Sequence, residues 1–315
     1  MARPTLRHEE PLIALPGPPE FADVDGTIQR IRLELYRENI QGALALVEAA
    51  AAAHPDPRYA QEAEGVRRGL AHVQSREAYV AAQEAQYHGL RGRLSPRYLE
   101  KQFRVLIGRK TRKLIARRAD KDEFRLLEHE IAAGRPARLL DGGAGEGGVA
   151  LAIAARHPKI RVDAVEASAT NVRMARRLNR FSNVAFHQGL LEEVHLRFPP
   201  SSFDLVYSFA VLEHVRDVEA TLQSIFTVLR PGGRFCFVVP MLDFAARGPL
   251  PPYEPLHGYC DHVRAFTERG LRERFGGATD FLLEKIPAVE KPHKIPPFLI
   301  PVELGAFFVA MTAPA

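Results

Sequence analysis

The chain has no tryptophan, four methionines and two cysteines in 315 residues. Cys236 and Cys260 cannot build the disulfide framework that small secreted domains rely on, so a reducing, cytoplasmic setting is expected. Long apolar runs are missing as well. The stretch from Ile295 to Ala313 is the most apolar late segment, yet it carries three prolines and Glu303, which argues against a membrane helix. Met1 to Pro11 mixes Arg, Glu and Pro instead of the basic-then-apolar order of a secretory signal. No membrane partner is therefore expected. Metal-ligand spacing is absent too: His257, Cys260, Asp261 and His262 are ligand types in close order but without a regular interval, so no metal is expected.

What is present is an ordinary globular balance, 46% hydrophobic and 26% charged, in a chain long enough for one large domain or two modest ones. The net charge of +5 is concentrated: Arg91 to Arg125 holds thirteen Lys or Arg against four acids. Such a run could attract a nucleic acid, an acidic carrier protein or an anionic substrate; the plainer reading is a solvated helix face.

Two parts follow from the patterning. Residues 1–130 read as a helical cap or interaction domain, with apolar Ile28, Ile31, Leu33, Leu35, Ile40, Ala43, Leu44 and Leu46 at roughly helical spacing. His54-Pro55-Asp56-Pro57 breaks this run, and the helices on either side resemble one tetratricopeptide-like hairpin. No second or third copy follows, so an α-hairpin packed on its neighbours is expected. Residues 131–315, beyond the break at Gly134-Arg135-Pro136, alternate β-rich and helical runs. The strand candidates are Arg138–Asp141, Arg161–Glu166, Asn183–His187, Phe203–Ser208, Arg234–Pro240, Asp280–Ile286 and Ala306–Thr312. Alternation of this kind implies a parallel sheet with right-handed crossovers.

The strongest local signal is Leu139-Leu140-Asp141-Gly142-Gly143-Ala144-Gly145-Glu146-Gly147-Gly148, an apolar strand running through a Gly-rich turn into a helix. Such a turn lets a ligand approach the backbone beside a helix N-terminus. Gly143-x-Gly145-x-x-Gly148 satisfies the dinucleotide fingerprint, with Glu166 placed to hold a ribose. Asp141-x-Gly143-x-Gly145-x-Gly147 equally resembles the first motif of class I S-adenosylmethionine (SAM)-dependent methyltransferases. Phe203-Asp204-Leu205-Val206, Leu212-Glu213-His214-Val215 and Leu229-Arg230-Pro231-Gly232-Gly233 stand in order at that family's spacing, which dehydrogenases do not show. The resemblance covers about Arg138 to Thr312.

The resemblance implies a seven-stranded Rossmann-like α/β sheet, mostly parallel with the last strand antiparallel, preceded by the helical domain. It implies SAM as cofactor. Asp141, Gly142, Gly143 and Gly145 would line its methionine part, Glu166 would accept the ribose hydroxyls, and Ala167 would lie against the adenine. In the stretch after the third strand the family usually has Gly-Asp, and the acid caps the adenine amine. Here Gly189 is followed by Leu190, so Glu192, Gln188 or a backbone carbonyl would have to substitute, while the Leu191 amide could still reach the ring. Ser208, at the end of the fourth strand, is a further expected cofactor-binding residue and opens the stretch to His214 that would border the acceptor. His214, His257, Tyr259 and His262 are the candidate proton acceptors or substrate ligands, against a plain packing role for each. Tyr87, Arg91 and Tyr98 lie between helical parts, where a cap would meet substrate or the SAM carboxylate.

Transfer of the methyl group to a small-molecule O or N acceptor is the expected activity. Transfer or cyclisation of the aminocarboxypropyl group, with release of methylthioadenosine, is a second reading. RNA or protein modification is a third, weakened because no Asn/Asp-Pro-Pro-Tyr-type motif occurs and the basic run has few interleaved aromatics. Nucleic acid is accordingly not the expected partner. The Ala- and Leu-rich helices would suit a homodimer interface as well as an internal cap.

Overall fold

The computed structural model describes residues 23–36, 40–88, 109–240, 266–286 and 305–313. Four helices come first: α1 (Val24–Tyr36), α2 (Ile40–Ala53), α3 (Pro57–Gln74) and α4 (Arg76–His88). Pro57 opens α3 at a position where its missing N–H is not needed, and the Asp56 carboxylate accepts from the Arg58 amide at 2.9 Å. Val24, Ile28 and Ile31 of α1 pack on Ala43, Val47 and Ala50 of α2 and on Tyr59, Ala63 and Val66 of α3. An ion pair between Arg32 and the buried Glu62 ties α1 to α3. The hairpin is thus a three-helix core of its own.

Two more helices, α5 (Arg109–Ala119) and α6 (Asp122–Gly134), lead to the sheet. The strands are β1 (Arg138–Gly142), β2 (Arg161–Glu166), β3 (Val184–Gln188), β4 (Phe203–Phe209), β5 (Leu229–Pro240), β6 (Leu282–Ile286) and β7 (Ala306–Thr312). Their order is β3-β2-β1-β4-β5-β7-β6, with β1 to β5 parallel and β7 antiparallel to both neighbours. The chain reverses its direction of winding between β1 and β4, the switch point at which such sheets open a crevice at the C-terminal strand ends. The helices α7 (Gly148–Arg156), α8 (Ala169–Leu178), α9 (Val194–Arg197), α10 (Val218–Val228) and α11 (Glu268–Phe275) complete the two faces.

Strand pleating sorts the core into two layers. Leu139, Val162, Ala164, Leu205, Tyr207, Cys236 and Phe308 face α6, α7 and α8. Leu140, Val206, Phe235, Phe237, Phe307 and Val309 face α10 and α11. Phe124, Leu127 and Ile131 of α6 belong to the first layer, with Leu114, Ile115 and Ala119 of α5 packed against it. The expected division at residue 130 therefore falls inside a helix that packs on the sheet.

Polar side chains fix the strand starts. Asp204 accepts from the amides of Ala137 and Arg138 at 2.7 and 2.8 Å and pairs with Arg230 at 2.7 Å. Asp163, 1% exposed, is held by Arg138 at 2.8 Å and His187 at 2.9 Å. Burial raises its pKa, but these two partners outweigh that and hold it below the usual carboxylate value. β5 begins earlier than the apolar run foretold. Pro231, Gly232 and Gly233 sit in an irregularity where Phe203 pairs with Leu229 and Leu205 already pairs with Arg234. No described helix is long and apolar enough to cross a membrane.

Candidate functional site

The C-terminal ends of β1, β2, β3 and β4 meet at the switch point, and the Gly-rich turn lies across them. Gly143 has φ +81°, and a Cβ there would overlap the Val211 side chain of the segment after β4. Only glycine satisfies both demands. The amides of Gly143 and Ala144 donate to the Val165 carbonyl at 2.8 and 3.0 Å, which folds the turn back over the end of β2. Gly142 sits against Leu191 at the end of β3, where an added Cβ would lie 2.7 Å from the leucine Cδ1.

Glu166 ends β2 facing this turn. One carboxylate oxygen accepts from the Gly145 amide at 2.9 Å; the other accepts from the Ser168 amide at 2.9 Å and from Asn171 at 3.4 Å. The oxygen that accepts from Gly145 retains a second lone pair for one hydroxyl donor, and a second hydroxyl can replace the long Asn171 contact on the other oxygen. Burial raises its pKa, the amides lower it, and the neighbouring Glu84 of α4 raises it again. Ala167 follows, half-buried, before the α8 N-cap Ser168.

Asp141, next to last in β1, lies beside its register partner Tyr207 and is 3% exposed. Its Oδ2 and the Tyr207 hydroxyl are both buried without a hydrogen bond of normal geometry among the described residues, although the two groups are neighbours. Burial pushes the Asp141 carboxyl up to about 7, with Tyr207, the Arg118 guanidinium and the Ala150 amide offsetting part of the shift. A buried acid with an open lone pair, beside a turn that a Cβ would block, is a receptor for a cationic hydrogen-bond donor. The residues present fit the ammonium and ribose ends of SAM.

The basic helix α5 closes the outer side of the turn. Lys110 pairs with Glu146 at 3.0 Å, and Leu114 and Arg118 press on Gly148, where an added Cβ would lie 2.9 Å from the Arg118 Cγ. The Arg118 Nε is buried without a hydrogen-bond partner among the described residues. Thr111 anchors the helix by donating to the Leu178 carbonyl at 2.8 Å. Part of the basic run is thus a wall of the cofactor loop, while Arg112, Lys113 and Arg117 remain exposed. Lys110, Leu114 and Arg118 stand four residues apart. That single stripe was available in the sequence and was hidden by counting charge without phase.

The matching stretch after β3 is apolar. Leu190 and Leu191 are 2% and 5% exposed, and Gly189 donates to the Glu166 carbonyl at 3.1 Å. Glu192 turns away: one oxygen accepts from the Arg216 amide at 3.0 Å, and burial raises its pKa. The Gln188 side chain is exposed. On the acceptor side, Ser208 is fully buried, its hydroxyl without a hydrogen-bond partner among the described residues. His214 lies one turn beyond Val211, its amide donating to the Val211 carbonyl at 2.8 Å, and its Nε2 is 4.0 Å from buried Glu213. Tyr87 is in the last turn of α4. Arg91, Tyr98, His257, Tyr259 and His262 lie outside the described residues.

Residues 107–282, more than half of the chain, match the model of a family described as a methyltransferase domain. The chain belongs to that family. Within it, the chain is of the class I, SAM-dependent kind. It is 34% identical over 135 residues to a Mycolicibacterium smegmatis protein named a probable S-adenosylmethionine-dependent methyltransferase, covering 42% of this chain and 49% of the relative. It is 34% identical over 132 residues to the tRNA 5-carboxymethoxyuridine methyltransferase of Escherichia coli K12, covering 41% and 48%. The chain thus spans about half the length of these curated relatives. The SAM complex of Haemonchus contortus phosphoethanolamine N-methyltransferase 2 aligns at TM-score 0.44 and 19% identity, covering 56% of this chain and 49% of that one.

Proposed function

We propose that this methyltransferase transfers the SAM methyl group to an oxygen or nitrogen of a small-molecule acceptor. The observation that carries this reading is the use made of α5: its Lys110 and Arg118 are turned to the cofactor loop, which withdraws them from the cationic stretch that a nucleic-acid surface would draw on and leaves Arg112, Lys113 and Arg117 exposed.

SAM supplies a methyl group already activated on a sulfonium, so the protein's share of the work is alignment and exclusion of water. In the proposed arrangement Asp141 accepts from the ammonium, Arg118 pairs with the carboxylate, and Glu166 accepts from the ribose hydroxyls. Ser208 and the Val211–His214 turn form the wall on which the acceptor lies. His214 holds the acceptor's proton if the attacking atom must lose one. Its Nδ1 or Nε2 is the atom that would receive it, and the Glu213 carboxylate beside the ring stabilises the resulting charge.

The test is mass spectrometry of the purified protein incubated with SAM and a fractionated small-molecule extract. S-adenosylhomocysteine together with a small molecule gaining one methyl supports the proposal. Methylthioadenosine from SAM alone would show instead that the aminocarboxypropyl group moves. Methyl label recovered only in RNA or protein would move the acceptor to a macromolecule.

A further inference from the structure

Helix α4 belongs to the N-terminal helices, yet it is tied at two points to the loops that hold the nucleoside end of the cofactor. Arg76, at its first position, donates to both carboxylate oxygens of Glu193, from Nε at 2.8 Å and from Nη2 at 3.1 Å. Glu193 closes the short turn that follows Leu190 and Leu191. Two turns further along α4, Glu84 accepts from the backbone N–H of Thr170 at 3.2 Å, in the first turn of α8 directly after Glu166 and Ala167. Between these ties, Tyr79 and Gln83 are buried at 4% and 9% exposure, whereas Glu77 and Ala81 are exposed. One stripe of α4 therefore lies across the gap between the ends of β2 and β3.

That gap adjoins the ribose carboxylate, so it is where an adenine would lie. An adenine presents an exocyclic amine, a donor that needs an acceptor once it leaves water. The β3 side is poor in acceptors: Leu190 and Leu191 are apolar, Glu193 is held by Arg76, and Gln188 faces out. Glu192, its pKa raised by burial, is drawn toward Arg216, from whose amide one of its oxygens accepts and whose charge lowers its pKa in turn. On the opposite wall stands a second carboxylate, Glu84, next to the ribose end. Its field already reaches Glu166, which it helps to push up.

We propose that Glu84, carried by the N-terminal helices, accepts the hydrogen bond from the adenine amine, so that α4 is a wall of the cofactor site. The inference rests on SAM as the cofactor and is independent of the acceptor proposed above. Two neighbouring carboxylates suit a ligand end with two hydroxyls and an amine, because every group it presents to them is a donor.

The experiment is calorimetric titration of the full chain with S-adenosylhomocysteine and with S-inosylhomocysteine, in which the amine is replaced by a carbonyl oxygen. The wild type is expected to prefer the adenosyl ligand by about tenfold or more. Glu84→Gln, whose amide can serve either ligand, is expected to abolish the preference, and Glu84→Ala to weaken only the adenosyl ligand, by about tenfold. Thr170→Pro removes the tie to α8 in a first helical turn that tolerates proline, and is expected to keep the preference. Equal affinity of the wild type for both ligands would overturn the proposal. So would an equal loss of both ligands in Glu84→Gln and Glu84→Ala, because Glu84 would then only fasten α4 to α8.

Discussion

At the scale of single residues the site is organised by two carboxylates whose environments both push them up, for different ends. Glu166 is buried but held by backbone amides on both oxygens, while the Oδ2 of Asp141 is buried with only the Tyr207 hydroxyl beside it. The second arrangement makes Asp141 a proton-linked receptor. An acid whose folded-state pKa of about 7 exceeds its ordinary 3.8 takes up a proton on folding between those values. It therefore contributes stability that is fully present below its ordinary value and fades as pH rises through the folded one. A cationic ligand group favours the ionised form, so cofactor affinity runs the other way and rises with pH through neutrality. Calorimetric titrations with S-adenosylhomocysteine on both sides of neutral pH should show this rise. Asp141→Asn should flatten it and weaken binding above neutrality by about tenfold or more. In thermal melts of the unliganded protein, Asp141→Asn should gain on the wild type as pH is raised.

Asp141 and Glu166 stood out in the sequence because their positions are set by short-range grammar. Each ends an apolar run, and a Gly-rich turn or a helix start follows within a few residues. Arg118 and Glu84 were not visible in the same way. Their partners are Gly148 and Thr170, and the second contact spans 86 residues. No local pattern encodes a pairing of that length.

Among the elements, α5 shows how a reading of charge can miss a reading of phase. Its sequence Arg109–Ala119 is basic around most of its circumference, which by itself describes a solvated helix. The stripe of Lys110, Leu114 and Arg118 is the part that touches the loop, and the remaining charge is exposed. The two faces should separate cleanly by mutation. Arg118→Met is expected to weaken S-adenosylhomocysteine binding by about tenfold, since a desolvated charge-assisted pair is lost. Arg112→Glu with Lys113→Glu is expected to leave that affinity within about twofold, as exposed charges act weakly through water. An inverted ranking of the two variants would remove α5 from the cofactor site. The strands gave themselves away more readily, since a parallel strand buried on both faces must be apolar throughout, as Phe203–Phe209 nearly is. The start of β5 was the exception. Pro231-Gly232-Gly233 reads as a turn, and the pairing resumes around it only because β4 lies alongside.

For the molecule as a whole, the N-terminal helices have a core of their own and are joined to the sheet unit by α4. The Arg76–Glu193 pair is exposed enough to contribute little on its own. The Glu84 tie belongs to the ligand gap. Ligand binding should then be felt across both parts at once. Hydrogen exchange with and without S-adenosylhomocysteine should show α4 and the first turn of α8 gaining protection together, while α1 to α3 change little. Protection confined to the Gly-rich loop and the end of β2 would mean that α4 does not take part.

The sheet order carries a consequence for how the chain reaches this state. β6 precedes β7 in the chain but has β7 as its neighbour in the sheet, and β7 is what connects it to β5. During synthesis the five parallel strands with the cofactor turn can assemble first, leaving the backbone edge of β5 uncovered and β6 without a strand to lie against. Such an edge is a template for the wrong neighbour. The interval between the emergence of β5 and of β7 is thus when a nascent chain is most exposed to mispairing with another copy, and when a ligand that tightens the parallel half would help it least.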